Sequence, residues 1–241
     1  MRRNQLTENS SEFIDWKKYD NESQKFKNRS PTKWVFIENF LEEKIYNELK
    51  HTYPKFDSSW EMEDSYDKVS YRKYWKMDDK KIVLDEDDER YSKAWNDFMR
   101  YARSKEFCQK LFEFTGVPVT HLKHFGFMLA KKNGFQLPHI HDVSDKTLMV
   151  FFYFSEGWLN NDPGATYLSD GIDENKIIFE PYNLDNSTLF VLDGPHAAHG
   201  VRKIMKDVER KAIQLTYEPY SDVEGWYGQM KKKEIPELLD L

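Results

Sequence analysis

The sequence predicts a mainly β fold of the sandwich or jelly-roll kind, supported on its N-terminal side by helices. Three observations predict it. Short β-type runs recur at 122–130, 136–141, 147–154, 165–168, 176–180, 188–192, 197–204 and 210–218, a spacing typical of such folds. Turn chemistry lies between them, at Asn133-Gly134, Asp162-Pro163-Gly164, Asp170-Gly171 and Asp193-Gly194-Pro195. Upstream of Gly116 and Pro118 the apolar residues follow helical spacing, so the texture of the chain switches there.

Along the chain, residues 1–30 are polar and charged and read as an N-terminal arm, with one helical turn around Phe13 to Trp16. Trp34-Val35-Phe36-Ile37 is short and β-rich, so a strand is expected. Leu41, Ile45 and Leu49 lie four apart and predict a helix over 42–52, ended by Pro54. Residues 55–90 mix aromatics with charges and read as a loop, with Trp60, Tyr66, Tyr71 and Trp75 near an entrance. Its acidic run, Asp85-Glu86-Asp87-Asp88, reads as solvated or as the acidic start of a helix. Ala94, Trp95, Phe98 and Ala102, then Phe107, Leu111 and Phe114, mark a helical stretch over 91–115 with a break near Ser104. The expected organisation is one domain over 31–220, with helical support at 31–118 and a β core at 119–220. A tail comes last at 221–241, with Lys231-Lys232-Lys233 and a short helix.

Bulk composition narrows the function. The chain has 241 residues, 16% of them aromatic, which is enough for a filled core. A net charge of −6 argues against broad contact with nucleic-acid phosphates. The single cysteine, Cys108, excludes an internal disulfide and a Cys-rich zinc site, and its apolar helical setting suggests an inert thiol. The N-terminus has two arginines with no apolar stretch behind them, unlike a signal peptide. The longest apolar run, Leu148 to Phe154, is too short to span a bilayer. A cytoplasmic protein with no membrane and no nucleic-acid partner is expected.

Six of the seven histidines fall within or just before the β half. In Pro138-His139-Ile140-His141-Asp142, strand alternation puts His139 and His141 on one face, where both imidazoles can meet one metal ion. Ile140 and Asp142 point the other way unless a bulge intervenes. Further on, the apolar run Thr188 to Leu192 leads through a turn to His199-Gly200-Val201. His196, in that turn, reads as a turn residue or as a partner behind a ligand. Eleven residues past His199, Arg210 opens the apolar strand Ala212 to Tyr217. An arginine entering a buried strand needs an anion: a carboxylate ligand gripped by the guanidinium fork, or a neighbouring acid such as Glu209.

The order of Leu137-Pro138-His139-Ile140-His141, Leu148 to Phe154, Gly164 to Leu168, His199-Gly200-Val201 and Arg210 resembles the 2-oxoglutarate/Fe(II)-dependent oxygenases of the prolyl 4-hydroxylase-like type. The resemblance covers roughly residues 119–220. It implies a double-stranded β-helix (jelly roll, cupin-like). It also implies hydroxylation of a peptidyl proline, an amino acid or another small molecule with O2, releasing succinate and CO2. The implied cofactors are Fe(II) and 2-oxoglutarate as co-substrate, with ascorbate as an optional reductant. The first metal ligand matches His139, the distal one His199, and the arginine for the far carboxylate of 2-oxoglutarate matches Arg210. Tyr153 is a candidate for a co-substrate hydrogen bond, with core packing as its other reading. The departure is His141, where that family carries a carboxylate. Either three histidines ligate, or a bulge turns Asp142 inward to restore the carboxylate.

Two other readings remain. A three-histidine cupin-type dioxygenase that needs no 2-oxoglutarate accounts for the histidines but leaves Arg210 without a role. A catalytically inactive jelly-roll binding module accounts for the missing carboxylate.

Overall fold

A computed structural model describes residues 13–75, 87–141, 145–159 and 162–227. A 3-10 turn at Trp16–Tyr19 leads into α1 (Asp20–Asn28), then β1 (Trp34–Glu38), α2 (Glu43–His51), β2 (Glu61–Ser65), β3 (Lys68–Tyr74), α3 (Lys93–Arg103) and α4 (Lys105–Thr115). The β half comes next as β4 (His121–Ala130), β5 (Phe135–His139), β6 (Leu148–Phe154), β7 (Thr166–Ser169), β8 (Ile177–Phe179), β9 (Asp185–Leu192), β10 (Ala198–Val201) and β11 (Arg210–Glu218). A short pair, β12 (Tyr220–Ser221) and β13 (Gly225–Trp226), ends the described chain.

The break expected near Ser104 has a clear cause. Ser104 has extended backbone, ends α3 and caps α4: its hydroxyl accepts from the Phe107 N–H at 3.0 Å and donates to the Tyr101 carbonyl at 2.7 Å. Gly116 then closes α4 in the left-handed region at φ 75°, where a side chain would be strained.

Eleven strands form one sheet in the order β1-β9-β6-β11-β4-β3-β5-β10-β7-β8, with β2 on the free edge of β3. The pairs are antiparallel throughout, and the sheet curls into a half-barrel of the double-stranded β-helix type. Strand alternation divides the core in two. Val150, Phe152, Ile213, Leu215, Phe125 and Phe127 face the helices and pack on Trp95, Phe98, Leu111 and Phe107. Met149, Phe151, Tyr153, Leu189, Val191 and Ala212 face inward and fill the roll. With both faces covered, β6 is buried at every position, which explains its unbroken apolar run.

The N-terminal expectation is corrected for residues 13–28. They form the 3-10 turn and α1, with Ile14 and Phe26 fully buried in the helix-side core. Only a few apolar anchors, spread among charges, hold this segment, so its pattern is faint. The loop expected at 55–90 is also corrected. The β2–β3 hairpin lies there, with Arg72 facing Met128 and Tyr74 facing Gly126 on β4. Its residues alternate charges and aromatics because one side faces water and the other a polar cavity. Asp87 and Asp88 of the acidic run pair with Arg100 and Arg90. Asp85, Glu86, the Lys231-Lys232-Lys233 tail and Asp142 lie outside the described residues.

Candidate metal centre

β5 and β10 are neighbours, and His139 sits directly opposite His199 in their register. His141 lies just beyond the end of β5. The three imidazoles converge, with ring centroids 4.4 Å apart for His139 and His141, 4.6 Å for His139 and His199, and 4.8 Å for His141 and His199. One ligand atom from each lies within 4.8 Å of the other two.

Backbone contacts select the donor nitrogens. His139 Nδ1 lies 3.0 Å from the Leu137 carbonyl, and His199 Nδ1 lies 2.9 Å from the Ala197 carbonyl. A carbonyl only accepts, so each Nδ1 carries the proton and each Nε2 keeps its lone pair for a metal. His139 Nε2 and His141 Nε2 are 3.1 Å apart. Two imidazole–metal bonds of about 2.1 Å at right angles need nearly that separation, so this pair has the spacing of two ligands of one cation.

The surroundings favour the neutral, ligating form. Burial drives the His199 pKa well below the ordinary imidazole value, and His139 and His141 lower it further. Burial also lowers that of His139. Phe151 packs against His199 at 6.4 Å. Gly200, next in the chain, is required by close approach. A Cβ there would lie 2.6 Å from both the Gln136 carbonyl and the Tyr167 hydroxyl.

Arg210 is 1% exposed. Its Nη2 donates to Thr166 Oγ1 at 2.7 Å, while its Nε has no hydrogen-bond partner. The acid beside it in sequence does not serve it, because Glu209 pairs with Lys131 and Lys211. Among the described residues no carboxylate reaches Arg210. The Tyr153 ring packs in the inner core 5.4 Å from the guanidinium, and its buried hydroxyl has no partner in hydrogen-bond geometry. The Tyr167 hydroxyl, also unpartnered, lies on the other face of β7, against Gly200. An unanswered Arg210 Nε beside the Tyr153 hydroxyl makes a carboxylate-binding environment.

His196 is exposed in the turn before β10, and its carbonyl accepts from the Thr32 hydroxyl. A cavity of about 710 Å³ opens beside His141, lined also by Arg72, Glu63, Lys68, Gln214, Thr216 and Glu218 among others. Sequence reasoning missed Thr166, Arg72 and Gln214. Only the register of β3, β4, β7 and β11 brings them to the site, and nothing local marks them.

No family model matches the sequence, and no curated protein matches it. Solved structures do match. A prolyl hydroxylase from Trichoplax adhaerens, in complex with a hypoxia inducible factor peptide fragment, is 16% identical, with a TM-score of 0.60 over 83% of this chain and 90% of that one. A prolyl-4-hydroxylase from Pseudomonas putida is 11% identical, with a TM-score of 0.57 over 83% and 98%. HygX from Streptomyces hygroscopicus, with nickel and 2-oxoglutarate bound, is 12% identical, with a TM-score of 0.51 over 82% and 92%. The chain therefore has the fold of the 2-oxoglutarate/Fe(II) oxygenases, prolyl 4-hydroxylases included. Within that fold it carries a cluster of three histidines in place of the usual His-x-Asp pattern.

Proposed function

We propose that the protein is a 2-oxoglutarate- and Fe(II)-dependent dioxygenase, a hydroxylase whose one domain takes in residues 31–220 together with the packed helical segment 13–28. The observation that carries this reading is a buried, unpaired Arg210 in the same roll as three converging imidazoles. Thr166, which meets Arg210, lies two residues along β7 from Leu168, the register partner of His199. That offset is about 7 Å, comparable to the length of a five-carbon diacid. His139, His141 and His199 would hold the metal, and Arg210 with Tyr153 would hold the far carboxylate of 2-oxoglutarate. Fe(II) with 2-oxoglutarate supplies O2 activation: the oxo acid gives succinate and CO2, and one oxygen atom goes to the substrate.

The protein's part is orientation and exclusion. The Leu137 and Ala197 carbonyls fix two ring planes. Phe151 and the packed inner strands keep water from the deep side. Three neutral imidazoles leave the centre one charge more positive than a two-histidine, one-carboxylate set, and the 2-oxoglutarate dianion offsets part of that. Asp142 is the alternative third ligand. The test is Fe(II)-dependent conversion of 2-oxoglutarate to succinate by the purified chain. Conversion that requires both His139 and His199 supports the reading. Failure to bind 2-oxoglutarate in the presence of Fe(II) overturns it.

The three-histidine set itself favours a second reading, a dioxygenase that needs no 2-oxoglutarate. Anaerobic titration of the Fe(II) protein separates the two. A charge-transfer band on adding 2-oxoglutarate supports the first, and O2 consumption indifferent to the oxo acid supports the second.

A further inference from the structure

The cavity beside His141 contains a second arginine. Arg72, only 7% exposed, enters it from β3. Its Nε donates to Glu63 Oε2 at 3.3 Å and its Nη1 to Gln214 Oε1 at 3.1 Å. Its Nη2 has no hydrogen-bond partner among the described residues. Lys68 Nζ lies 2.6 Å from the same Glu63 carboxylate. One carboxylate thus serves two cations, and this end of the cavity keeps a net positive charge. Gln214 presents its amide N–H here, with only Met149 Sδ near it at 3.9 Å. A planar fork beside a spare amide donor, at the positively charged end of the cavity, is a carboxylate site. Arg210 does not line this cavity, so the two arginines are separate anchors.

The far end has different chemistry. Glu218, Asp193, Thr147 and Thr216 line the rim, rich in acceptor oxygens, with Lys123 among them. Glu218 is 2% exposed; Lys123 Nζ donates to both its oxygens, at 2.9 and 2.8 Å, and Thr147 Oγ1 donates to one of them at 3.0 Å, so with Asp193 this rim sets two carboxylates against one ammonium. Gln214 and Glu218 are four positions apart on β11, so their Cα atoms are about 13 Å apart. An extended α-amino acid with a terminal side-chain amine spans about 8 Å by standard bond lengths. Hydrogen bonds of about 2.8 Å at each end bring it to that span.

We propose that the substrate is a free basic amino acid, its α-carboxylate held by Arg72 and Gln214 and its side-chain cation directed to the Glu218 rim. This rests on the reading of the three-histidine cluster as the reaction centre, and it adds the substrate class. Arg72 and Gln214 are then positioning residues that set specificity.

The test is saturation-transfer NMR on the full chain with L-lysine, L-ornithine and L-arginine, compared with L-lysinamide and L-norleucine. At least one basic amino acid is expected to bind, with affinity falling tenfold or more in lysinamide, which lacks the carboxylate, and in norleucine, which lacks the distal amine. Arg72→Leu is expected to abolish binding. Gln214→Glu, which sets a carboxylate on Arg72 without removing the arginine, is expected to do the same in a variant that circular dichroism shows folded. Absence of binding by all three basic amino acids overturns the inference. So does equal binding of lysinamide or norleucine, or retained binding in both folded variants. 2-Oxoglutarate binding to the wild-type Fe(II) protein is measured alongside. Its failure with lysine still bound removes the co-substrate reading alone, and its success with no amino acid bound removes the substrate class alone.

Discussion

His139 and His199 are register partners on adjacent antiparallel strands, and each gives its Nδ1 proton to the carbonyl two residues before it in the chain. The pair is thus oriented by the same local device, used once on each strand. His141 lies beyond the end of β5, so the strand ladder does not fix its position.

Removal of either strand histidine should therefore differ from removal of the third. His139→Ala and His199→Ala should each abolish tight Fe(II) binding, measured by anaerobic titration. His141→Ala should weaken it by roughly tenfold to a hundredfold. His141→Asp should retain the metal, because a carboxylate lowers the charge of the site by one. Full turnover in His141→Ala with loss in Asp142→Ala would move the third ligand to Asp142.

Arg210 should behave oddly under mutation. Arg210→Leu removes a buried cation that no carboxylate meets among the described residues. Without ligand the variant should be as stable as the wild type, or more so by about 1–4 kcal/mol, in chemical denaturation. The same variant should weaken 2-oxoglutarate binding by about tenfold to a hundredfold, the worth of a charged hydrogen bond. Loss of stability together with unchanged 2-oxoglutarate affinity would contradict both parts.

Gly200 joins packing to chemistry. Gly200→Ala places a methyl group against the Gln136 carbonyl and the Tyr167 hydroxyl, which should cost about 1–3 kcal/mol. Because Gln136 is on β5 and Gly200 on β10, relief of the clash moves His199 away from His139. Metal affinity should fall along with stability, even though no ligand has been changed.

The metal-free protein should lose stability as pH drops. His139 and His199 have folded pKa values below the ordinary imidazole value, both chiefly through burial. Below about pH 6.5 the unfolded chain takes up protons that the folded site refuses. Stability should fall with decreasing pH in that window, and His199→Phe should flatten the slope in urea titrations.

Much of the β architecture can be read from the chain because burial imposed it. β6 is covered on both faces and is apolar throughout, while Gly116 and Ser104 mark helix ends by their own chemistry. The meeting of His139 with His199 was legible from the order of motifs that carries the resemblance, whereas alternation spoke only to His139 and His141. The β2–β3 hairpin was not, since Glu63, Lys68 and Arg72 line a polar cavity and so resemble a solvated loop. α1 was hidden for a related reason: Phe26 is a lone apolar anchor among charges. Thr166 acquires meaning only through its distance to Arg210, a contact 44 residues away in the chain.

β3 is the bridge between the two halves of the curl, pairing with β4 through Tyr71–Tyr74 and with β5 through Lys68–Val69. The histidines and Arg210 come from residues after 134, whereas Arg72, Lys68 and Glu63 come from this one hairpin. In the proposed site the arginine that would meet the substrate and the histidines that would meet the metal thus lie on separable stretches of the chain, while Gln214 and Glu218 share β11 with Arg210. Exchange of the hairpin's side chains, with its backbone pairing to β4 and β5 kept, would retarget the proposed site while leaving the histidine-bearing strands as they are.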